Sequence, residues 1–299
     1  MRRVFRNRAV GAILILALVA TSCGSGDSAA GEPITVGSFN FNESVIVAEI
    51  YAQALEREGY DVERSMNLGN REVVKPALES GEIDLVPEYI GTIDSFLGGS
   101  PTSDAEATHA EAKALYEEQR VTLLAYSPAE DKNAYVVTGE TASTHGLATI
   151  SDLEPVAADF KFGGPPECPE REFCLQGLQT LYELEFEEFV PLDAAGPITV
   201  AALEGGDVDI VLLFSSQGVI AEKGWVVLED DKGLQPAENL VPAIRLEVVE
   251  EHGIDLTSLL DEVSQKINQE DLTEMNKRAD IDGEDPAVIA GEWLDENGY

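Results

Sequence analysis

The 299 residues leave room for two domains of ordinary size, and 57 acidic side chains against 19 lysines and arginines give a formal charge of −38. That balance speaks against nucleic acid and anionic lipid as partners, because binding phosphate needs clustered Lys and Arg. The acids are spread along the chain, so solubility, including in high salt, accounts for them better than steering of a cationic ligand.

Arg2, Arg3, Arg6 and Arg8 followed by the apolar run Ala9 to Ala20 read as a targeting segment, since the run is shorter than the roughly 20 residues of a spanning helix. Without those four arginines the −38 becomes −42 for the remainder, as residues 1–22 hold no acid. Ala20-Thr21-Ser22-Cys23 resembles a bacterial lipobox, in which the Cys becomes the acylated first residue; an ordinary secretory signal with an incidental Cys is the alternative. Residues 1–22 are therefore expected to be a lipoprotein signal peptide and 23–32 a flexible, small-residue tether. No later apolar stretch is long enough to span, so the expected location is extracytoplasmic, anchored to the cell membrane by lipid on Cys23.

Ile34 to Gly37 reads as a strand running into SFNFNES. Val47, Ile50, Tyr51, Ala54 and Leu55 then share one helical face, with Asn40 or Asn42 as cap and Gly59 as stop. Such a helix start can receive an anionic ligand group or be merely capped. Tyr60 to Leu68 reads as a strand and Arg71 to Ser80 as a helix. That helix enters ALESGEIDLV (Ala77 to Val86), which returns as ALEGGDVDIV at Ala202 to Val211. Each copy is a helix end, a Gly at 81 or 206 suited to a left-handed cap, and a β-branched strand. Each then meets an aromatic, Tyr89 or Phe214. Two similar α/β lobes, each presenting a ring at the carboxyl end of a strand, would build a cleft between them. The alternative is chance recurrence of a common helix-to-strand junction.

Ser103 to Glu106 is a capping box opening a polar helix to about Arg120, and Val121 to Tyr126 and Ala134 to Thr138 look like strands. The small, polar GETAST that follows is read as a first crossing into a second lobe. There Ser151 caps a short helix, Phe160 to Gly163 is a strand, Leu175 to Leu184 a helix and Trp225 to Leu228 a strand. A return crossing is expected around Pro236 to Pro242. Helices starting at Thr257 or Ser258 and at Asp285-Pro286 would pack on the first lobe, Pro being suited to the first helical position. The expected lobes are residues 33–138 plus 241–299, and 139–240.

Cys168 and Cys174 form an even pair once Cys23 is assigned to lipid, and in an oxidising compartment a disulfide is expected, with two buried thiols as the alternative. Zinc lacks a ligand set, and Asp280, Asp282 and Asp285 around Gly283 do not match a calcium loop, so helix capping explains them. There is no phosphate loop with Lys, nucleophile elbow or dinucleotide fingerprint. No catalytic residue, metal or cofactor is expected, and the chain reads as an exported binding protein.

The runs VGSFNFNES, ALESGEIDLVPEYIGT, NAYVV, ECPEREFCLQGL, GDVDIVLLFSSQG, VVLEDDK and LTEMNKRADIDGEDPAVIAGEWL resemble the substrate-binding lipoproteins of ABC importers for glycine betaine, carnitine and choline. PEYIGT after GEIDL is the most specific of them. The resemblance implies an α/β, bilobal, periplasmic-binding-protein-like fold of type II, its two lobes joined by two crossings. It implies a monomer that captures a quaternary-ammonium solute and passes it to permease subunits. It also implies an aromatic cage to which Tyr89, Tyr135 and Phe214 would contribute, with Thr92 and Asn133 as neutral hydrogen-bond partners and Arg171 for a betaine carboxylate. Two departures stand out. Phe39 occupies a position where many members have Lys, making it a candidate fourth ring, and near the return crossing, where a further cage Tyr is usual, PAENLVPAIR has none and Asn239 lies nearby. Each residue also has a bland reading: the Tyr and Phe214 rings as core, Phe39 and Phe41 as staples for the helix below, Arg171 as an ion-pair partner. A sensor or binding protein for another small solute, or an enzyme reusing the fold, is the competing function.

Overall fold

The computed structural model describes residues 32–299. The signal peptide, most of the tether and Cys23 lie outside the described residues. The first part of the chain forms β1 (Ile34–Gly37), α1 (Asn42–Arg57), β2 (Val62–Ser65), α2 (Arg71–Ser80), β3 (Leu85–Tyr89), α3 (Ile90–Phe96), α4 (Ala105–Glu117) and β4 (Val121–Leu123). The middle forms β5 (Asn133–Val137), α5 (Gly139–His145), β6 (Lys161–Gly164), α6 (Leu175–Thr180), β7 (Glu188–Pro191), α7 (Pro197–Gly205), β8 (Ile210–Phe214), α8 (Val219–Glu222) and β9 (Val226–Val227). Last come β10 (Leu240–Arg245), α9 (Leu246–Lys266), α10 (Gln269–Asp280) and α11 (Pro286–Glu296).

The repeated decapeptide builds the same junction twice. Gly81 (φ 77°) and Gly206 (φ 73°) end α2 and α7 in the left-handed conformation that a side chain resists. Three residues on, Asp84 Oδ2 accepts the Thr35 N–H at 2.9 Å while the Asp84 N–H donates to Thr35 O at 2.7 Å. Asp209 makes the same pair of bonds with Lys161, at 2.8 and 3.0 Å. The Gly turns the chain and the Asp fastens the new strand beside an earlier parallel one, β3 beside β1 and β8 beside β6.

The two sheets consequently read alike, β2-β1-β3-β10-β4 and β7-β6-β8-β5-β9. In each, the fourth strand is antiparallel to the third and enters from the other half of the chain, β10 beside β3 and β5 beside β8. These are the two crossings. They run side by side, bridged at Glu130 and Asn239, with the Asp131 N–H donating to Glu238 O at 2.9 Å. The strand predicted at Ala134 to Thr138 is β5, Asn133–Val137, and belongs to the second sheet, so the first crossing falls before Asn133 and not after Thr138. The small, polar GETAST is a helix start instead, with the Thr138 hydroxyl accepting the Thr141 N–H at 3.0 Å.

The return crossing expected around Pro236 to Pro242 leads directly into β10, which contains Pro242. A Pro inside a central strand argues against the strand, because its nitrogen has no hydrogen for the ladder. Here Pro242 stands opposite Pro87, and its carbonyl accepts the Leu124 N–H on the β4 side at 3.0 Å. The two prolines thus form an antiparallel pair that exchanges no ladder bonds, and nothing is lost between β3 and β10.

The C-terminal helices pack on the first lobe. Leu256, Leu260, Ile289 and Trp293 join one buried cluster with Ile46, Ile50 and Tyr51 of α1, and Gln53 Nε2 donates to Ala287 O at 2.8 Å. α9 breaks at Gly253 (φ 72°), so its second half begins there and not at Thr257. In the second lobe, alternate residues of β5 and β8 feed two apolar clusters: Tyr135, Val137, Ile210 and Leu212 in one, Ala134, Val136, Val211 and Leu213 in the other. That alternation is the period of a sheet covered on both faces.

Candidate functional site

The repeat ends each central strand on an aromatic, and both rings reach the same cleft. Tyr89 closes β3, Phe214 closes β8, and Phe41, immediately before α1, sits between them. The centroid of Phe41 lies 6.2 Å from Tyr89, 5.2 Å from Phe214 and 5.9 Å from Phe39, with which it is stacked. A cavity of about 430 Å³ opens on one side of this cluster, and a second of about 490 Å³ shares Phe41 and Phe214 as a wall.

Of the residues singled out from the sequence, Phe39, Tyr89, Thr92, Asn133, Arg171 and Phe214 line the first cavity together. Tyr135 and Asn239 do not. Tyr135 is 1% exposed, its ring lies against Phe162 and its hydroxyl donates to Phe173 O at 3.0 Å. It is a layer below the surface, on the same side of β5 as Asn133, whose Nδ2 donates to the same Phe173 oxygen at 2.9 Å. Gln235 adds a third donor there, at 3.0 Å, so this carbonyl anchors the loop closed by the Cys168–Cys174 disulfide to the sheet. Asn239 Nδ2 faces inward to Ser127 O at 3.0 Å and belongs to the crossing.

Phe39 lines the cavity, but the Arg71 guanidinium lies 5.1 Å from its centroid, so its attraction for a cation is engaged by the protein's own. Arg171 spans the cleft, 2.5 Å from Glu72 of the first lobe and 5.0 Å over the ring of Phe96. Thr92 donates its hydroxyl to Glu238, whose Oε2 also accepts the Gly91 and Thr92 N–H groups at 3.1 Å each. Burial nevertheless pushes the Glu238 carboxyl up to about 7.

Against the hydroxyl of Tyr89 lies a pair of acids that the sequence does not mark. Glu43 and Asp131 are 4% and 7% exposed. Tyr89 donates its hydroxyl to Glu43 Oε1 at 2.7 Å, and Asn276 Nδ2 donates to Oε2 at 2.5 Å. Ser216 Oγ touches both acids, 2.6 Å from Glu43 and 2.7 Å from Asp131. Burial raises Glu43 above the ordinary carboxylate range, and burial followed by the charge of Glu43 raises Asp131 well above it. From sequence Glu43 is one acid in the first turn of a helix and Asp131 one acid in a loop, both unremarkable. Only the folding of α1, β8 and the crossing onto one another brings them together.

Rings beside buried carboxylates suit a cation with no hydrogen to donate. The family described as the substrate binding domain of the ABC-type glycine betaine transport system matches residues 32–296. The chain belongs to this family. It is 28% identical over 287 residues to a glycine-betaine-binding protein of Pseudomonas aeruginosa, covering 90% of this chain and 89% of that one. It is also 28% identical over 296 residues to the carnitine transport binding protein OpuCC of Listeria monocytogenes, covering 96% and 94%. A crystal structure titled glycine betaine/carnitine/choline ABC transporter superposes with a TM-score of 0.70 at 24% identity, over 88% of this chain and 98% of that one. The two-sheet architecture is that of the type II periplasmic binding proteins, and the family's role is to bind a substrate for transport. No helix among the described residues is long and apolar enough to cross a membrane.

Proposed function

We propose that this protein captures a quaternary-ammonium solute of the glycine betaine, choline or carnitine class between Phe41, Tyr89 and Phe214, and delivers it to the permease subunits of an ABC importer. The observation that carries this reading is the ring trio contributed by both lobes, with Asp131 in the wall of the first cavity and Glu43 in that of the second. A trimethylammonium head offers diffuse charge and no N–H, so ring faces and nearby anions are what can hold it. Three rings at roughly 0.5–2 kcal/mol each supply part of the about 8 kcal/mol of a micromolar complex; methyl burial and the carboxylates supply the rest. For a zwitterionic solute, Arg171 is the partner of the carboxylate, which would take the place of the half-exposed Glu72 on its fork.

Titration calorimetry with glycine betaine, choline and carnitine tests this. At least one should bind at micromolar concentration or better, and no heat from any of the three would refute the reading. In Arg171→Gln, glycine betaine should weaken about tenfold and choline by less than about threefold, the carboxylate being what the guanidinium holds. Equal losses would assign Arg171 to lobe closure alone.

The location follows from the same role. The reading places the protein outside the cytoplasm, held at the membrane by lipid on Cys23 as a monomer. Cys23→Ala should move it from the membrane fraction to the soluble extracytoplasmic fraction. A membrane fraction that stays unchanged counts against the anchor.

A further inference from the structure

The hydrogen bonds beside the cage do not balance if both acids are ionised. Ser216 Oγ stands 2.6 Å from Glu43 Oε2 and 2.7 Å from Asp131 Oδ1, and it accepts the Asn276 amide at 2.9 Å. A hydroxyl carries one hydrogen, so it can donate to only one of the two carboxylates. The other contact needs a hydrogen of its own. Glu43 already receives Tyr89 on one oxygen and Asn276 on the other, at 2.7 and 2.5 Å. Asp131 receives the Ser216 N–H at 3.0 Å and the Ser215 hydroxyl at 3.4 Å, both on Oδ1, so it is the less fully served of the two acids and the one left to carry the extra proton toward Ser216 Oγ.

No cation faces the pair among the described residues. From β3 it meets Tyr89, and from α10 Asn276 and, across the second cavity, Asp280, which is tied to Asn42 at 2.7 Å and to Gln217 at 3.4 Å. Lys132, next to Asp131 in sequence, turns to Glu130 at 2.6 Å, and Arg71 is held by Glu88 at 2.7 Å. Two further observations point to a ligand here. Asp131 lines the first cavity together with Phe41, Tyr89 and Phe214, and Asn276, 1% exposed in the wall of the second cavity, leaves its Oδ1 without a partner. These contacts also join the two lobes, since Glu43 and Asn276 come from the first and Ser216 follows β8 of the second, so they exist only while the lobes stand together.

We infer that Glu43 and Asp131 share one proton through Ser216 in the closed, unliganded protein, and that a quaternary-ammonium head seated on the three rings replaces it, so that binding a cation releases a proton to solvent. This rests on the cage reading above and adds a coupling to it. Two buried carboxylates in contact with one hydroxyl cannot both stay ionised without a positive charge nearby; the proton supplies it in the empty protein and the ligand supplies it in the complex. The raised positions of both acids agree. The sign follows from linkage. A ligand that prefers the ionised pair binds weakly at low pH, and its affinity rises with pH until the empty pair has lost its proton.

Choline does not titrate across the neutral range, so the pH dependence of its binding belongs to the protein. The expected slope is about tenfold in affinity per pH unit for one proton released. Calorimetry with choline at neutral pH, in phosphate and in Tris, should give enthalpies that differ by the buffers' heats of protonation. Adding choline should also remove the infrared band of a protonated carboxyl. Glu238, near 7 and in the same cleft, titrates in this window. Asp131→Asn separates the two: its amide supplies the missing hydrogen to Ser216, and the released proton and the band change attributable to the pair should both vanish, leaving only what Glu238 contributes. Glu43→Gln serves the same comparison if Asp131→Asn does not fold. Choline binding with equal heats in both buffers and no band change would overturn the coupling while leaving the cage standing. Absence of binding by all three solutes would instead remove the cage and this inference with it.

Discussion

Arg71→Met is expected to destabilise the protein by about 3–5 kcal/mol, the range found when one partner of a buried ion pair is removed. Arg71 opens α2 at 9% exposure and Glu88 lies in β3 at 0%, joined by contacts of 3.2, 3.3 and 2.7 Å. Burial works against the charge on Arg71, and the carboxylate of Glu88, with a smaller share from Glu238, more than offsets it, so its pKa stands above the ordinary value. Without the guanidinium, Glu88 keeps its burial and loses its counter-charge. The accounting changes when both are replaced: Arg71→Met with Glu88→Leu removes two desolvation costs together and should recover most of the loss. Urea unfolding of the two single variants and the double, read as a cycle, measures this. A single-variant loss below about 1 kcal/mol would mean that water reaches Glu88. Because Glu88 precedes Tyr89 and Arg71 lies over Phe39, the pair also fixes the floor of the cleft.

The parts of this protein that could be read from its residues are those fixed by short-range rules. The Gly at 81 and 206 and the Asp three residues later act locally, through a left-handed turn and a side chain that caps the neighbouring strand, and so the repeat predicts both junctions and the rings beyond them. Asp285 with Pro286 opens α11 for the same kind of reason, the Asp285 side chain accepting the Ala287 N–H at 2.9 Å. What local rules do not carry is partnership between distant segments. β10 contains a Pro that costs its pairing with β3 nothing because the register turns its nitrogen away from that strand, a fact of register and not of composition. The strand at Asn133 belongs to the second sheet because Phe214 is its partner, which no pattern within NAYVV reveals. Likeness to the family points to Tyr135 as a ligand ring, yet it is two residues in from the strand's open end, where the sheet is already covered. Phe41, two residues from the Phe39 that drew attention as a departure from the family, occupies the centre that Tyr135 does not.

Phe41→Ala should therefore produce the largest change in ligand affinity of any single ring. Its neighbours at 5.2 and 6.2 Å come from different lobes, Phe214 from the second and Tyr89 from the first, so Phe41 is the ring that joins the two lobes' aromatics into one cluster. Truncation removes one cation–π contact of about 0.5–2 kcal/mol and the apolar cover over the methyl groups, about 0.8 kcal/mol for each methylene-sized group exposed. Together these predict a loss of about 2–3 kcal/mol, or 30- to 150-fold in Kd. The ring also forms part of the wall between the two cavities, so its loss should join them and admit a bulkier ammonium, such as a triethyl analogue, at less cost relative to wild type. Tyr89→Phe makes the contrasting test, because it keeps the ring and removes only the hydroxyl that Glu43 accepts at 2.7 Å. If the ring faces hold the ligand, Tyr89→Phe costs less than about tenfold while Phe41→Ala costs more. If the order is reversed, the hydroxyl-to-carboxylate contact holds the ligand and the rings only line the way to it. Titration of each variant with choline and the triethyl analogue, with circular dichroism to show that the fold is kept, separates the two.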